Sequence, residues 1–214
     1  IPRRPTVVPQ NMPGAGSLRA ANFVYNVAPK DGTALGIITQ TVALEEALKT
    51  PGVQYKAAGV NWIGRMTSNV DMILTWHTSK VKTIEDAKKF EAPVAGTGPG
   101  SPAEFMPKVL NSVVGTKFKV ITGYPGSNEG MLAMEKGEVE GATTSWNTIK
   151  TSKQEWLKNK SINMIVQLTP DRHRELPDLP AMVELGKTAE QKQILSLYAS
   201  GAVVGRSIFA SPGI

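Results

Sequence analysis

The stretch GTGPGSPAE, residues 96–104, gathers the residue types most able to do chemistry in this chain: Ser101, Glu104 and glycines at 96, 98 and 100. Ser101, Pro102 and Glu104 have the pattern of a helix start, with serine as cap, proline first and the acid third. The glycines let the backbone turn tightly and approach a ligand without a Cβ in the way. Free N–H groups and the positive end of the helix dipole then favour an anion at that spot. Pro107 interrupts the helix that follows, so the pattern predicts a kink or restart there.

A nucleotide phosphate is the first anion to test. A P-loop ends in Gly-Lys-Ser/Thr, whereas this loop ends in Gly-Ser-Pro and offers no lysine. The dinucleotide fingerprint fails as well, because its third glycine falls at the wrong spacing. Ser101 as a nucleophile lacks the G-x-S-x-G elbow. The only histidines, His77 and His173, sit in no pattern that suggests a base. Two histidines without H-x-H or H-x-x-x-H spacing, in a chain without cysteine, give no metal site. The expectation is no metal and no cofactor. An α/β enzyme acting on an anionic small molecule through Ser101 or Glu104 remains the alternative to a binding protein.

Composition bounds the remaining classes. The 214 residues, 41% hydrophobic and 20% charged, suffice for a buried core in one large domain or two small ones. No run of about 18 apolar residues occurs, so no helical membrane span is predicted. The net charge of +6 is scattered over the chain, with one short cluster at Lys150, Lys153, Lys158 and Lys160. Without a basic block or an aromatic-rich motif, nucleic acid is not an expected partner. A mild basic excess suits an acidic small ligand by long-range attraction.

The elements that must position these loops recur as a β-branched run, a Gly/Pro loop and an amphipathic helix. Strands are predicted at 6–8, 35–38 (buried), 71–76, 93–95, 118–122, 139–143 and 162–167, and a bent strand or strand pair at 202–210. Leu18, Ala21, Tyr25 and Ala28 share one helical face, and Thr83 with Asp86 opens a short helix. This alternation predicts an α/β fold with a parallel sheet and right-handed crossovers. Any single glycine loop is often a mere connector. Here NMPGAGS, TQT, GTGPGS, GYPGSNE and TTSWN all follow predicted strands and carry small, hydroxyl or amide residues. In open α/β sheets the ligand crevice lies at the carboxyl ends of the strands. Five such loops converging there suit a carboxylate.

Several stretches carry a family resemblance. NMPGAGSLRAANFVYNVAPKDGTALGI, VKTIEDAKK, GTGPGSPAE, YPGSNEGMLAMEKGEVEGATTS and LPDLPAMVELG follow one another as in the tripartite tricarboxylate transporter receptors, the TctC or Bug family. The chain is similar to that family along nearly all its length. The resemblance implies a two-lobed periplasmic binding protein of type II, a Venus flytrap, here cut short at both ends. Residues 1–73 would begin the first lobe without the family's first strand and loop. Residues 74–167 would form the second lobe, and 168–214 would return to the first without the C-terminal helices. The function implied is extracytoplasmic capture of a small di- or tricarboxylate, or a related acid, for a membrane transporter. By the same resemblance, Thr97, Gly98, Gly100 and Ser101 would hold one carboxylate. Thr39, Gln40 and Thr41 would face it from the other lobe, with Ser145 nearby. The implied partners are a small organic acid and the transporter's membrane subunits, with no nucleic acid. The protein would be a periplasmic monomer without enzymatic activity.

Overall fold

The computed structural model describes residues 6–214; residues 1–5 of the expected first lobe lie outside that range. The described chain forms two sheets. In the smaller, β8 (Arg206–Ala210) runs antiparallel between β1 (Leu35–Ile37) and β2 (Asn61–Thr67). The larger has the order β5 (Phe118–Ile121), β4 (Ala92–Ala95), β6 (Gly141–Ser145), β3 (Asp71–Trp76) and β7 (Ile162–Gln167). No helix among the described residues is long and apolar enough to cross a membrane.

The expected parallel sheet is only partly found. β4 runs parallel to β5 and β6, the strands linked through helical crossovers α4 (Pro102–Val114) and α5 (Ser127–Glu135). β3 is antiparallel to both β6 and β7, and the smaller sheet is antiparallel throughout. The larger sheet is therefore mixed. Its geometry places the carboxyl ends of β4, β5 and β6 at one edge, together with the amino end of β3. The register sets Asp71, the first residue of β3, directly opposite Ser145, the last of β6.

Alternation along β3 feeds two cores. Ile73 joins Val94, Leu110, Phe118 and Leu195 on one face of the larger sheet. Met72 and Leu74 join Met131, Ile149 and Trp156 on the other. A third core holds Leu18, Val24, Val42, Tyr55 and Phe209 beneath the smaller sheet. There Gly36 is needed for contact, since a Cβ on it would lie 2.4 Å from the Phe209 ring. Helix α8 (Ala189–Ala199) packs on α4: Phe105 and Tyr198 rings lie 5.7 Å apart, and Gln191 Nε2 donates to the Val113 carbonyl. Leu168, Met182, Leu195 and Ala199 are buried in the core of the larger sheet. Much of the segment 168–199, which the resemblance assigns to the first lobe, thus packs on the larger sheet.

Other elements also differ from expectation. Residues 6–8 form no strand. The predicted buried strand at 35–38 exposes Leu35 and Ile37 and buries Gly36 and Ile38. Residues 202–210 split into a helical turn, α9 (Gly201–Val204), and β8, because Gly205 turns the chain at φ 62°. Pro107 lies within a continuous α4.

Candidate functional site

Three helices begin at the shared edge of the larger sheet. Ser101 caps α4, its Oγ accepting from the Glu104 N–H at 3.2 Å with Pro102 in the first turn. Ser145 caps α6 (Trp146–Ser152), its Oγ accepting from the Thr148 N–H at 3.1 Å. Gly126 stands at the start of α5. Each helix leaves first-turn N–H groups without an intrahelical acceptor, and each points its positive dipole end to this edge.

From the smaller sheet's side, residues 12–17 close over that edge. Gly14, Ala15, Gly16 and Ser17 all have positive φ, at 129°, 46°, 60° and 78°. Left-handed conformations at Ala15 and Ser17 are strained, and such strain gathers at ligand-holding loops. The loop lies directly on the 99–101 backbone, where a Cβ on Gly16 would meet Ser101 N at 2.5 Å and Pro99 O at 2.8 Å. Thr41 Oγ1 donates to the Gly100 carbonyl at 2.9 Å, a second bond between the two sides.

Between them lies a cavity of ≈ 250 Å³, lined by hydroxyls from Ser17, Thr39, Thr97, Ser101, Ser127, Thr143, Ser145 and Thr148, and by Asp71 and Arg206. It falls below the ~300–1,000 Å³ of pockets for drug-sized ligands, so a small molecule is its natural occupant.

Two wall groups stand out. Thr143 Oγ1 is buried and has no hydrogen-bond partner in the described chain. Asp71 is buried, with Gln40 Nε2 donating to Oδ2 at 2.8 Å and Asn69 Nδ2 to Oδ1 at 2.6 Å. Burial pushes the Asp71 carboxyl above its ordinary range, while Arg206 and the two amides pull the other way. Arg206 opens β8 just after Gly205, whose Cβ would lie 2.1 Å from the Thr67 carbonyl oxygen. Only glycine permits that approach.

Hydrogen-bond accounting separates the hydroxyls. Ser101 Oγ donates to the Gly98 carbonyl at 2.8 Å, and Thr97 Oγ1 donates to Ser101 Oγ at 2.9 Å. Both spend their single hydrogen inside the loop. Ser145 Oγ and Thr148 Oγ1, 2.9 Å apart, share one hydrogen and keep the other free. Thr97 and Ser101 thus have no hydroxyl hydrogen left for a ligand, whereas the Ser145–Thr148 pair on the β6 side keeps one, and Ser17, Thr39 and Ser127 donate to no group of the described chain.

Of the residues named from sequence, Thr39, Thr97, Ser101 and Ser145 line this one cavity. Gln40 stands behind it, bound to Asp71. Thr41 and Gly100 bond to each other across the two sides, and Gly98 lends its carbonyl to Ser101. Glu104 is not among the lining residues: one oxygen pairs with Lys108, and the other is buried against Gly96 without a partner. Sequence reasoning missed Asp71 and Arg206, and reached Thr143 only as part of the loop TTSWN. An acid heading the apolar strand DMILTW was a usable signal for Asp71; nothing local marked Arg206. No group of three His, Asp or Glu placed to hold a metal occurs among the described residues.

The profile of the TctC family, the tripartite tricarboxylate transporter family receptor, matches residues 4–203. The chain belongs to this family. Comparison with curated protein sequences found no match. Among solved structures, this TctC-family chain is similar to the periplasmic binding protein BugD, at 20% identity and TM-score 0.67 over 95% of this chain and 65% of that one. It is similar to R. palustris Rpa4515 with adipate, at 18% identity and TM-score 0.68, covering 94% and 64%. MatC (Rpa3494) from Rhodopseudomonas palustris with bound malate gives 19% identity and TM-score 0.66, covering 94% and 65%. The chain thus spans about 65% of these relatives' length. The fold is that of a two-lobed type II periplasmic binding protein.

Proposed function

We propose that this protein is a periplasmic receptor that captures a small carboxylate between two lobes and delivers it to the membrane subunits of a tripartite tricarboxylate transporter. One lobe is built on the smaller sheet and the other on the larger, with residues 168–199 going with the larger. The observation that carries the reading is the convergence of three helix amino termini on a small hydroxyl-lined cavity that also holds Arg206. Such a cavity favours an anion. Family membership and the adipate and malate held by the two solved relatives support a carboxylate as that anion.

Binding without turnover is part of the proposal. Ser101 spends its hydrogen on Gly98 and accepts from Thr97 and Glu104, with neither histidine lining the cavity. The receptor acts as a monomer, without cofactor and without nucleic acid. A thermal-shift panel of mono-, di- and tricarboxylates tests the reading. An acid present at about 100 times its Kd stabilises by roughly 2.7 kcal/mol, a shift of several degrees. The expected result is a shift confined to one class of acids with no product formed. Hydrolysis abolished by Ser101→Ala, with affinity intact, would overturn the reading.

A further inference from the structure

We propose that Asp71 is the specificity-determining residue of this cavity, selecting acids that carry a hydrogen-bond donor, a hydroxyl or an ammonium, close to a carboxylate. This rests on the receptor reading above. A cavity built only from helix amino termini and hydroxyls would accept any small acid of the right size. Asp71 breaks that permissiveness by placing a carboxylate in the wall of an anion site.

Its orientation is fixed. Asn69 Nδ2 donates both to Asp71 Oδ1 at 2.6 Å and to Gln40 Oε1 at 2.9 Å, while Gln40 Nε2 donates to Asp71 Oδ2 at 2.8 Å. The three side chains form a closed ring, and the Leu168 N–H holds the Asp71 carbonyl at 2.8 Å. The carboxylate therefore cannot swing out of the wall. Each oxygen takes one amide N–H and keeps lone-pair capacity. The hydroxyls around it turn either way; both Asp71 oxygens accept from the amides, and whenever the group is ionised it can only accept.

A ligand carboxylate set against an ionised Asp71 meets like charge at a buried group, where screening is weak. A ligand hydroxyl or ammonium there gains a charge-assisted hydrogen bond. A plain methylene leaves the buried acceptor unpaired, and sites built around such an acceptor discriminate strongly against analogues lacking the donor. Thr143, on the same face of β6 as Ser145, has an unpartnered hydroxyl for a neighbouring ligand oxygen. Arg206 and the helix termini supply the positive surroundings for the anionic end.

Calorimetric titration of the chain with matched pairs tests this: succinate and malate, glutarate and 2-hydroxyglutarate, tricarballylate and citrate, with aspartate added. The donor-bearing member of the best-bound pair is expected to bind at least about tenfold tighter, and Asp71→Asn to reduce that ratio to within about threefold. A folded Asp71→Asn that keeps the wild-type ratio overturns the role of Asp71; where that variant fails to fold, Asp71→Ser, which keeps a polar group but removes the carboxylate, is read in the same way. Equal affinities within every pair, or tighter binding of the plain acid, overturn the role of Asp71 and leave the receptor reading standing. Binding by no acid of the panel overturns both.

Discussion

Gly16 and Ser101 meet backbone to backbone, so closely that a Cβ on Gly16 would lie 2.5 Å from the Ser101 nitrogen. This contact joins the loops of the two sheets over the cavity. Gly16→Ala adds a methyl group at φ 60° and drives it into the main chain of residues 99–101. The loops must then separate. Affinity for the best acid should fall at least about tenfold, equivalent to about 1.4 kcal/mol, while far-ultraviolet circular dichroism stays native. Titration calorimetry on the variant checks both the loss and its size.

Ser101→Ala separates capping from ligand contact. The hydroxyl caps α4 and closes the Thr97–Ser101–Gly98 relay, so its loss should cost about 1 kcal/mol of stability. Binding should weaken only modestly, because its hydrogen already belongs to Gly98. Urea unfolding paired with calorimetry distinguishes this outcome from a tenfold or larger loss of affinity, which would assign Ser101 a direct ligand bond.

Much of the α4 start was legible in sequence because capping is local: Ser101, Pro102 and Glu104 carry their own instruction. The same holds for Thr83 and Asp86, whose side chains and backbones bond reciprocally at the start of α3 (Ile84–Lys89). Strand β3 was legible as an apolar run. The mixed direction of the larger sheet was not, since β3 pairs with strands far along the chain and nothing in DMILTW states their direction. β2 gave no signal because its seven residues are all exposed, leaving no buried face to write an alternation. Asp71 and Arg206 face one cavity only through that long-range topology. The glycine loop reads as a cradle of N–H donors; what the sequence does not state is that the Gly98 and Gly100 carbonyls are taken by Ser101 and Thr41.

Gly205 governs where Arg206 enters the cavity. At φ 62° and with the Thr67 oxygen 2.1 Å from any Cβ, Gly205→Ala has no unstrained solution. The substitution should destabilise the chain by about 1–3 kcal/mol, and β8 must shift against β2. A lower midpoint in thermal unfolding, accompanied by weaker acid binding, is the expected result. An unchanged midpoint would contradict the role given to this turn.

Asp71 also predicts a pH dependence of stability. Burial raises its carboxyl above 3.8, so the folded chain holds this proton more tightly than the unfolded one. The stabilisation from that difference is fully present below the ordinary value and is lost as pH rises through the raised one. Asp71→Asn removes the titration. Its stability should fall less than that of the wild type across the interval above pH 3.8, as thermal unfolding in buffers of matched ionic strength will register.

The most direct test of the anion site is titration of the best-shifting carboxylate into the wild-type chain and into Arg206→Gln. Saturable one-to-one binding in the wild type, weakened at least about tenfold in the variant through loss of a charge-assisted contact, is the predicted result. Binding that ignores Arg206, or no saturable binding of any mono-, di- or tricarboxylate, would contradict it.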